Sequence, residues 1–273
     1  MSMPITSSSV SNPADLALLP QVVDAVHAAG ARLEKIYSPD ARPAGRNDIF
    51  TAAKLNEETS EPGLRAALAA VRPEAGWAED EWEARELPPG EWWAVDAVEG
   101  SVNHVHGLPE WCVTVTLVRD NVPALTAVYQ PIGDLTYTAV LGGGATLNGR
   151  PLRVSAKTDL AAAIATTGQA SAGQDGIHRR IGDSVTAMLG RALLVRATVP
   201  STFPLLAVAG GHVDLFWQYG ADLSGIAAGM LLAAEAGAVV SDVRGRPWRP
   251  GGGDVLIAAP GVHAAAVDVL AEI

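Results

Sequence analysis

The chain runs Trp92-Trp93-Ala94-Val95-Asp96-Ala97-Val98-Glu99-Gly100-Ser101, a strand-like segment that ends in two acids and a Gly-Ser turn. Aromatic and β-branched residues from Trp92 to Val95 predict a buried strand. Asp96 and Glu99 then lie on either side of a tight bend, so their carboxylates and the carbonyl of Val98 can converge on one hard cation such as Mg2+. From these residues alone, the alternative is a surface turn whose acids are solvated.

The neighbours of the two acids extend this candidate site. Gly100 permits a positive φ or a close backbone approach, and Ser101 offers a hydroxyl and an N–H to a water or a phosphate oxygen. Upstream, the acid cluster Glu79-Asp80-Glu81 is typical of a solvated turn. Glu79, which directly follows an apolar pair, is the member of that cluster best placed to join the two acids at a metal.

Length and composition indicate a globular chain. Its 273 residues, 48% hydrophobic with a mean hydropathy of +0.18, can bury the core of one large domain or of two lobes. No apolar run is long enough to span a bilayer, and the N-terminus lacks the basic start of a secretion signal. We therefore expect a cytoplasmic protein with a flexible leader at residues 1–14 and no membrane partner. The single cysteine, Cys112, lies in an apolar run that predicts core packing.

The formal net charge of −11 bears on the class of partner. No stripe of lysines and arginines is available to displace counterions from a phosphate backbone, which disfavours a nucleic-acid partner. A small anionic substrate would need a metal or a local cluster of hydrogen-bond donors.

Turn and cap residues predict the elements on either side of the acidic stretch. Asn12-Pro13 predicts the start of a first helix, and a second helix is expected from about Thr59 to Val71. Three strand-like runs after the acids predict a series of hairpins: 111–119, 124–130 and 135–141. Asn148-Gly149 predicts a further tight turn.

Beyond residue 155 strands and helices alternate. The pattern predicts strands at 160–167, 192–197, 213–217, 238–241 and 254–259, and helices at 175–189, 202–209, 225–236 and 262–271. We therefore expect an N-terminal α+β lobe at residues 15–155 and a C-terminal α/β lobe at residues 156–273. The cleft between two such lobes is the expected place for a site.

These motifs resemble the inositol monophosphatase family. In that family a strand leads into Asp-Pro-(Ile/Leu)-Asp-Gly-Thr, which matches the stretch from Asp96 to Ser101. The second half agrees independently, and similar segments cover nearly the whole chain from about residue 15. Among them are Gly210-Gly211-His212-Val213-Asp214, Glu235-Ala236-Gly237-Ala238 and Leu147-Asn148-Gly149-Arg150-Pro151.

The resemblance implies a fold, a cofactor and residue roles. The family has a five-layered αβαβα fold with an interlobe cleft, is commonly homodimeric, and uses Mg2+ to activate a water against a phosphate monoester. Four residues of this chain would hold metal: Glu79, Asp96, Val98 through its carbonyl, and Glu99. Gly100 and Ser101 would hold phosphate, and Ser101 would also orient the attacking water. Glu79, Asp96 and Ser101 would thus be the catalytic residues.

Several positions depart from the family pattern. Lys54 and Gly225 occupy positions where the family has acids, one that supports the site and one that helps to bind the second metal. Glu99 replaces an aspartate and Ala97 a proline. Gln218 replaces the acid that contacts the sugar in inositol-hydrolysing members, and it remains a candidate substrate-binding residue together with Asp222.

The charge at these positions predicts a weakened metal site. Glu79, Asp96 and Glu99 give three negative charges and Lys54 gives one positive charge, a net −2 where the family has five carboxylates. That charge matches one divalent ion, so we expect one Mg2+ or none. Asp222 could swing in as a ligand, or the Lys54 ammonium could replace part of the missing cation. The alternatives are a solvated Asp222 and a Lys54 paired with Glu99.

Two functions are compatible with this pattern. The first is Mg2+-dependent hydrolysis of a small sugar, cyclitol or nucleotide phosphate, which the intact Asp96 and Gly100-Ser101 favour. The second is a family member that kept the fold but lost or exchanged the chemistry, with another reaction or a binding or scaffold role in the same cleft. The changes at Lys54, Glu99 and Gly225 favour this second function.

Overall fold

The computed structural model describes residues 10–78, 86–168, 175–220, 223–250 and 253–273. The helices in these segments are α1 (Pro13–Glu34), α2 (Arg46–Val71), α3 (Ser101–Val105), α4 (His178–Leu189), α5 (Thr202–Ala209), α6 (Leu223–Glu235) and α7 (Pro260–Leu270). The strands are β1 (Gly76–Trp77), β2 (Glu91–Glu99), β3 (Cys112–Arg119), β4 (Val122–Gln130), β5 (Leu135–Val140), β6 (Gly144–Leu147), β7 (Arg150–Pro151), β8 (Ile164–Thr167), β9 (Leu194–Ala197), β10 (Leu215–Tyr219), β11 (Val239–Ser241) and β12 (Asp254–Ala258).

The strands form two sheets, one before and one after the predicted junction near residue 155. The first sheet has the order β1-β2-β3-β4-β5-β6-β7, and from β2 onward each neighbouring pair is antiparallel. The second sheet has the order β11-β12-β10-β8-β9. In it β10, β8 and β9 run parallel to one another, while β12 pairs antiparallel with both β10 and β11.

Helices cover the sheets in alternating layers. Helices α1 and α2 contact the first sheet through β4 and β2, and α4 and α7 contact the second sheet through β10 and β12. Helices α5 and α6 lie between the sheets, α5 against β10 and β12 and α6 against β2 to β6. The predicted five-layered αβαβα fold is confirmed.

The middle helices join the two sheets in one apolar core. A single cluster contains Ala94 and Val128 of the first sheet, Leu231 of α6, and Phe216 of the second sheet. Cys112 belongs to the same cluster and is fully buried, which confirms its predicted packing role. Because burial of apolar side chains is the main favourable term in folding, this layer ties the two sheets together energetically.

Helix α1 begins where the sequence predicts. The side chain of Asn12 accepts a hydrogen bond from the backbone nitrogen of Ala14 at 2.9 Å, and Pro13 occupies the first helical position. Such a cap satisfies a backbone donor that has no partner within the helix. Of the predicted leader, residues 1–9 lie outside the described residues, and Pro13 and Ala14 form the first turn of α1.

The predicted start of the second helix at Thr59 is wrong, because α2 begins at Arg46. Pro62 lies inside this helix and loses one backbone hydrogen bond, a feature that argues for a shorter helix when only the sequence is considered. Tertiary contacts outweigh that loss, since Leu64 and Leu68 are fully buried. The correction matters for function because it places Lys54 on a helix that packs against the acidic stretch.

Most of the remaining predicted elements are confirmed to within a few residues. The strand predicted at 160–167 is wrong in its first half, because Leu160–Ala162 forms a single 3-10 turn capped by Asp159, and only Ile164–Thr167 forms β8. The hairpins from β3 to β7 are present, and Asn148 and Gly149 have positive φ values of 48° and 75°, as the predicted tight turn requires. Helix α6 starts at Leu223, two residues before the predicted start. Within the described residues, no helix combines the length and the apolar character needed to cross a bilayer.

Candidate active site

A β-bulge in the pairing of β2 with β3 brings the two acids together. Asp96 pairs with Thr114 and Glu99 pairs with Cys112, so three steps along β2 match two steps along β3. Residues an odd number apart on a regular strand point to opposite faces. The extra residue in the bulge removes this opposition and turns both carboxylates to one side.

The carboxyl groups of Asp96 and Glu99 interact directly. Removal from water raises the pKa of Asp96 well above its usual value, and the charge of Glu99 and a hydrogen bond with it raise the pKa further. The backbone nitrogen of Val98 donates to Oδ1 of Asp96 at 2.8 Å, which opposes this shift. Glu99 itself is only 8% exposed. Two acids held this close favour a shared proton or a bound cation.

Gly100 has both of the properties that the sequence predicts for it. Its φ is +86°, in the left-handed region. A Cβ at this position would lie 2.6 Å from the carbonyl oxygen of Glu110 and 3.2 Å from Cα of Trp111. A larger residue would therefore be both strained and in collision with the backbone.

Ser101 begins α3 directly after this glycine and faces α2. Its Oγ lies 3.4 Å from Nδ2 of Asn56, a side chain that is almost fully buried. The Ser60 hydroxyl, one turn further along α2, donates to the carbonyl oxygen of Ala97 at 2.9 Å. Helix α2 is thus attached to the bulge, and it supports Ser101 from the side.

The second half of the chain also contacts the acidic stretch. The backbone nitrogen of Thr202, at the start of α5, donates to Oε1 of Glu99 at 3.3 Å. The side-chain amide of Asn103 donates to the carbonyl oxygens of Glu110 at 2.8 Å and Val199 at 3.2 Å. The segment before α5 is therefore held against the two acids.

Gln218 lies on β10 and joins this segment. Its Oε1 accepts a hydrogen bond from Oγ of Ser201 at 2.6 Å. Ser201 directly precedes Thr202, whose backbone nitrogen donates to Glu99. Gln218 is therefore linked to Glu99 through these two residues, on the side of the site formed by the second half of the chain.

Lys54 is exposed to solvent and pairs with an acid of its own helix. Its side chain is 74% exposed, and its Nζ lies 3.6 Å from Oε1 of Glu58, one helical turn further along α2. The expected pairing of Lys54 with Glu99 is therefore wrong. The exposure of Lys54 also gives no support to the idea that its ammonium replaces a missing cation.

One of the three remaining predicted site positions lies within the described residues. Gly225 lies in the first turn of α6. Glu79 and Asp222 lie outside the described residues. The strand that leads toward Glu79 is described, and β1 runs parallel to β2 with Trp77 opposite Trp93.

The described donors suit one divalent ion better than several. Asp96 and Glu99 supply two carboxylates whose mutual repulsion a cation would relieve, and oxygen ligands are those that Mg2+ prefers. Among the described residues no group of three His, Cys, Asp or Glu side chains is arranged to hold a metal. The residues present therefore fit one Mg2+ held in part by ligands beyond this pair.

Sequence reasoning missed several residues at this site. The charge of Glu57 contributes to the raised pKa of Asp96, but no local signal pointed to it, because the second helix was expected to begin only at about Thr59. Asn56 was missed for the same reason, although on the observed helix it lies one turn before Ser60. Ser201 and Thr202 gave no local signal, because only the fold brings them to Glu99.

Comparison with known proteins identifies relatives along the whole chain. The chain matches the model of the inositol monophosphatase family over residues 18–272. An inositol-1-monophosphatase from Rhizobium meliloti is 32% identical over 234 residues, which cover 84% of this chain and 86% of that protein. A Nus factor SuhB from Pseudomonas aeruginosa is 31% identical over 194 residues, 69% of this chain and 70% of the relative. The solved inositol monophosphatase from Anabaena shares the fold with a TM-score of 0.78 at 23% identity, over 95% of this chain and 97% of that one.

Proposed function

The chain belongs to the inositol monophosphatase family of Mg2+-dependent phosphomonoesterases, and we propose that it hydrolyses the monophosphate of a small sugar, cyclitol or nucleotide at the Asp96–Glu99 pair. The observation that carries this assignment is the bulge that turns both carboxylates to one side at the contact between the lobes. The inositol-1-monophosphatase relative supports a polyol phosphate as the substrate type.

We propose that Asp96, Glu99 and the carbonyl of Val98 hold one Mg2+, with Glu79 as a further ligand. When bound, the ion supplies positive charge and Lewis acidity to the phosphate ester. A cation and a proton compete for the carboxylate of Asp96, whose pKa is raised, so binding of the cation is favoured as pH rises. The absence of acids at Lys54 and Gly225 supports a second ion that is weak or missing.

The other residues orient the reactants. Gly100 allows the backbone to approach a phosphate group closely, because no side chain lies between them. Ser101, steadied by Asn56 at 3.4 Å, directs its hydroxyl to the attacking water. Gln218, held by Ser201, contacts the leaving group from the second lobe, and Asp222 is a further candidate there.

The assignment is tested by phosphate release from a panel of monoesters with Mg2+. Asp96→Asn keeps the size of the side chain but removes its charge, and we expect it to lower the rate by roughly 100-fold or more. Asp183→Asn, an exposed position on α4, is the matched control and should retain the wild-type rate.

The same experiment can reject the assignment. Equal rates for the wild type and Asp96→Asn would show that the pair is not the reacting site. Undetectable hydrolysis of every ester by the wild type would instead favour a member that has exchanged its chemistry for another reaction or for a binding role.

We also propose that the protein is a homodimer. Strand β9 is an edge strand of the second sheet, and apolar side chains on and beside it are exposed: Leu189, Leu193, Leu194 and Val199. Several exposed apolar side chains near one sheet edge favour burial against another chain. Light scattering should show a dimer for the wild type and a monomer for Leu193→Glu, and a monomeric wild type would reject the proposal.

A cytoplasmic location and the absence of a nucleic-acid partner stay predictions.

A further inference from the structure

Gln218 and Ser201 meet at the edge of the second sheet where its parallel strands end. Strands β8, β10 and β9 run in the same direction, so the residues after them, Gly168, Gln218 near the end of β10, and the loop before Ser201, lie along one edge. Ligands of α/β sheets bind outside the carboxyl ends of such strands. This edge is also the side that contacts Glu99 through Thr202.

The length of the Ser201–Gln218 hydrogen bond decides how the amide is oriented. The Oγ of Ser201 and Oε1 of Gln218 are 2.6 Å apart. This separation is usual for O–H···O but shorter than N–H···O bonds, so the serine donates and the amide oxygen accepts. No described residue accepts a hydrogen bond from Nε2 of Gln218, so its two N–H groups are available to a ligand.

Ser201 is free to hold the glutamine because another residue caps α5. A serine just before a helix ordinarily accepts a hydrogen bond from a backbone nitrogen of the first turn. Here Ser201 makes no such bond, and Glu99 accepts from Thr202 instead. The acid pair and the amide are therefore linked through one short segment.

Gly168 lies directly against this hydrogen-bonded pair. A Cβ on Gly168 would lie 2.7 Å from Oε1 of Gln218 and 3.2 Å from Oγ of Ser201. Gly168 therefore permits the pair to pack directly against the main chain. The described residues at these strand ends, 164–168, 198–203 and 215–220, include no Asp, Glu, Lys, Arg or His.

We propose that Gln218, oriented by Ser201, selects phosphate esters whose leaving group carries an unprotonated oxygen, a carbonyl or a carboxylate, in place of a hydroxyl group. A carboxylate side chain at this position can only accept hydrogen bonds and repels another anion, whereas the oriented amide donates two. The proposal rests on the phosphomonoesterase function and narrows its substrate class from polyol phosphates in general to phosphates of small sugars that carry an oxidised carbon. Ser201 is a positioning residue for Gln218.

Three esters of similar size isolate this contact. Glycerol 3-phosphate presents hydroxyl groups, dihydroxyacetone phosphate replaces one of them with a carbonyl, and 3-phosphoglycerate replaces another with a carboxylate. Hydrogen bonds to a charged acceptor are stronger than those to a neutral one, so we expect kcat/KM for 3-phosphoglycerate to exceed that for glycerol 3-phosphate by roughly tenfold. The kcat/KM for dihydroxyacetone phosphate should lie between these two values, so the comparison distinguishes a carbonyl oxygen from a carboxylate oxygen.

Three variants test the residue. Gln218→Glu should lower the ratio of kcat/KM for 3-phosphoglycerate to kcat/KM for glycerol 3-phosphate by roughly tenfold or more. Ser201→Ala should lower it less, because the released amide can present either its oxygen or its nitrogen to the ligand. Gln21→Glu, on an exposed face of α1, adds the same charge elsewhere and should leave the ratio unchanged.

Binding is measured in parallel so that the outcome does not depend on turnover. Calorimetric titration of the protein with each ester, in the presence of Ca2+, should rank the binding affinities in the same order as the kcat/KM values. Equal ratios for the wild type and Gln218→Glu in both measurements overturn the selectivity. Hydrolysis of no ester, with the binding preference intact, overturns the phosphatase assignment and leaves the selectivity standing.

Discussion

The Oε1 atom of Glu99 lies 3.3 Å from the backbone nitrogen of Thr202, so an acid of the first sheet caps a helix that packs between the two sheets. The same carboxyl group is a partner of Asp96. One side chain thus serves both the proposed metal site and the attachment of helix α5 to the first sheet. These two tasks depend on different properties of the group, its charge and its ability to accept a hydrogen bond, and substitutions can separate them.

The first prediction concerns Glu99. Glu99→Gln keeps an acceptor for Thr202, so the free energy of unfolding should change by less than about 1 kcal/mol, whereas Glu99→Ala should lose about 1–2 kcal/mol with the cap. Both variants should bind Mg2+ at least roughly tenfold more weakly, because each removes one carboxylate ligand. Urea unfolding without metal and calorimetric titration measure the two effects. Equal stability of the two variants would exclude a capping role.

The second prediction concerns Gly100. Gly100→Ala should lower the free energy of unfolding by roughly 2–4 kcal/mol, because the added methyl meets the carbonyl oxygen of Glu110 and the residue keeps a positive φ. Gly149→Ala is the matched control. Its φ is also positive, at 75°, but nothing lies within 4 Å of the added atom, so we expect a loss of about 1 kcal/mol. Similar losses at both positions would show that the close approach at Gly100 is unimportant.

The third prediction concerns the pH dependence of the metal-free protein. The pKa of Asp96 is raised in the fold, above the value of about 3.9 in an unfolded chain. A raised pKa stabilises the fold fully below the unfolded value, and this contribution is lost as the pH rises through the folded value. With EDTA present, Asp96→Asn should therefore have a higher Tm than the wild type at about pH 8, and the difference should shrink at about pH 5. A pH-independent difference in Tm would contradict this account.

The fourth prediction concerns the number of metal ions. The wild type should bind no more than one Mg2+ tightly, since Lys54 and Gly225 supply no carboxylate. Lys54→Asp combined with Gly225→Asp should strengthen Mg2+ binding and add a second binding event. Calorimetric titration of both proteins measures the stoichiometry, with Lys35→Asp combined with Gly182→Asp, two exposed positions away from the acids, as a charge-matched control. Two tight sites in the wild type would show that charge does not limit the site.

Much of the fold was predictable because its strongest signals are local. Asn12-Pro13 marks a helix start, and Asn148-Gly149 marks a tight turn, through interactions between residues close in the chain. The family resemblance added the order of the layers. The start of α2 was not predictable in the same way, because Pro62 opposes a long helix locally and only the burial of Leu64 and Leu68 against the sheet outweighs it.

The site was predictable in its location but not in its connections. Spacing alone suggested that Asp96 and Glu99 converge, although on a regular strand they would point apart. The β-bulge that nevertheless brings the two side chains to one side depends on the register of β2 with β3. The contacts of Glu99 with Thr202 and of Gln218 with Ser201 join residues that are far apart in sequence, so no local pattern could reveal them.

The helix layer shared by both sheets has a consequence for how the molecule can be divided. Helix α6 packs against strands β2 to β6, yet it follows β10 in the chain, so the first sheet is completed by residues from the second half. A fragment ending near residue 155 would leave Ala94 and Val128 without the side chains that cover them. The separated halves should therefore fold only when mixed, by fragment complementation, and the intact chain should unfold in a single cooperative transition.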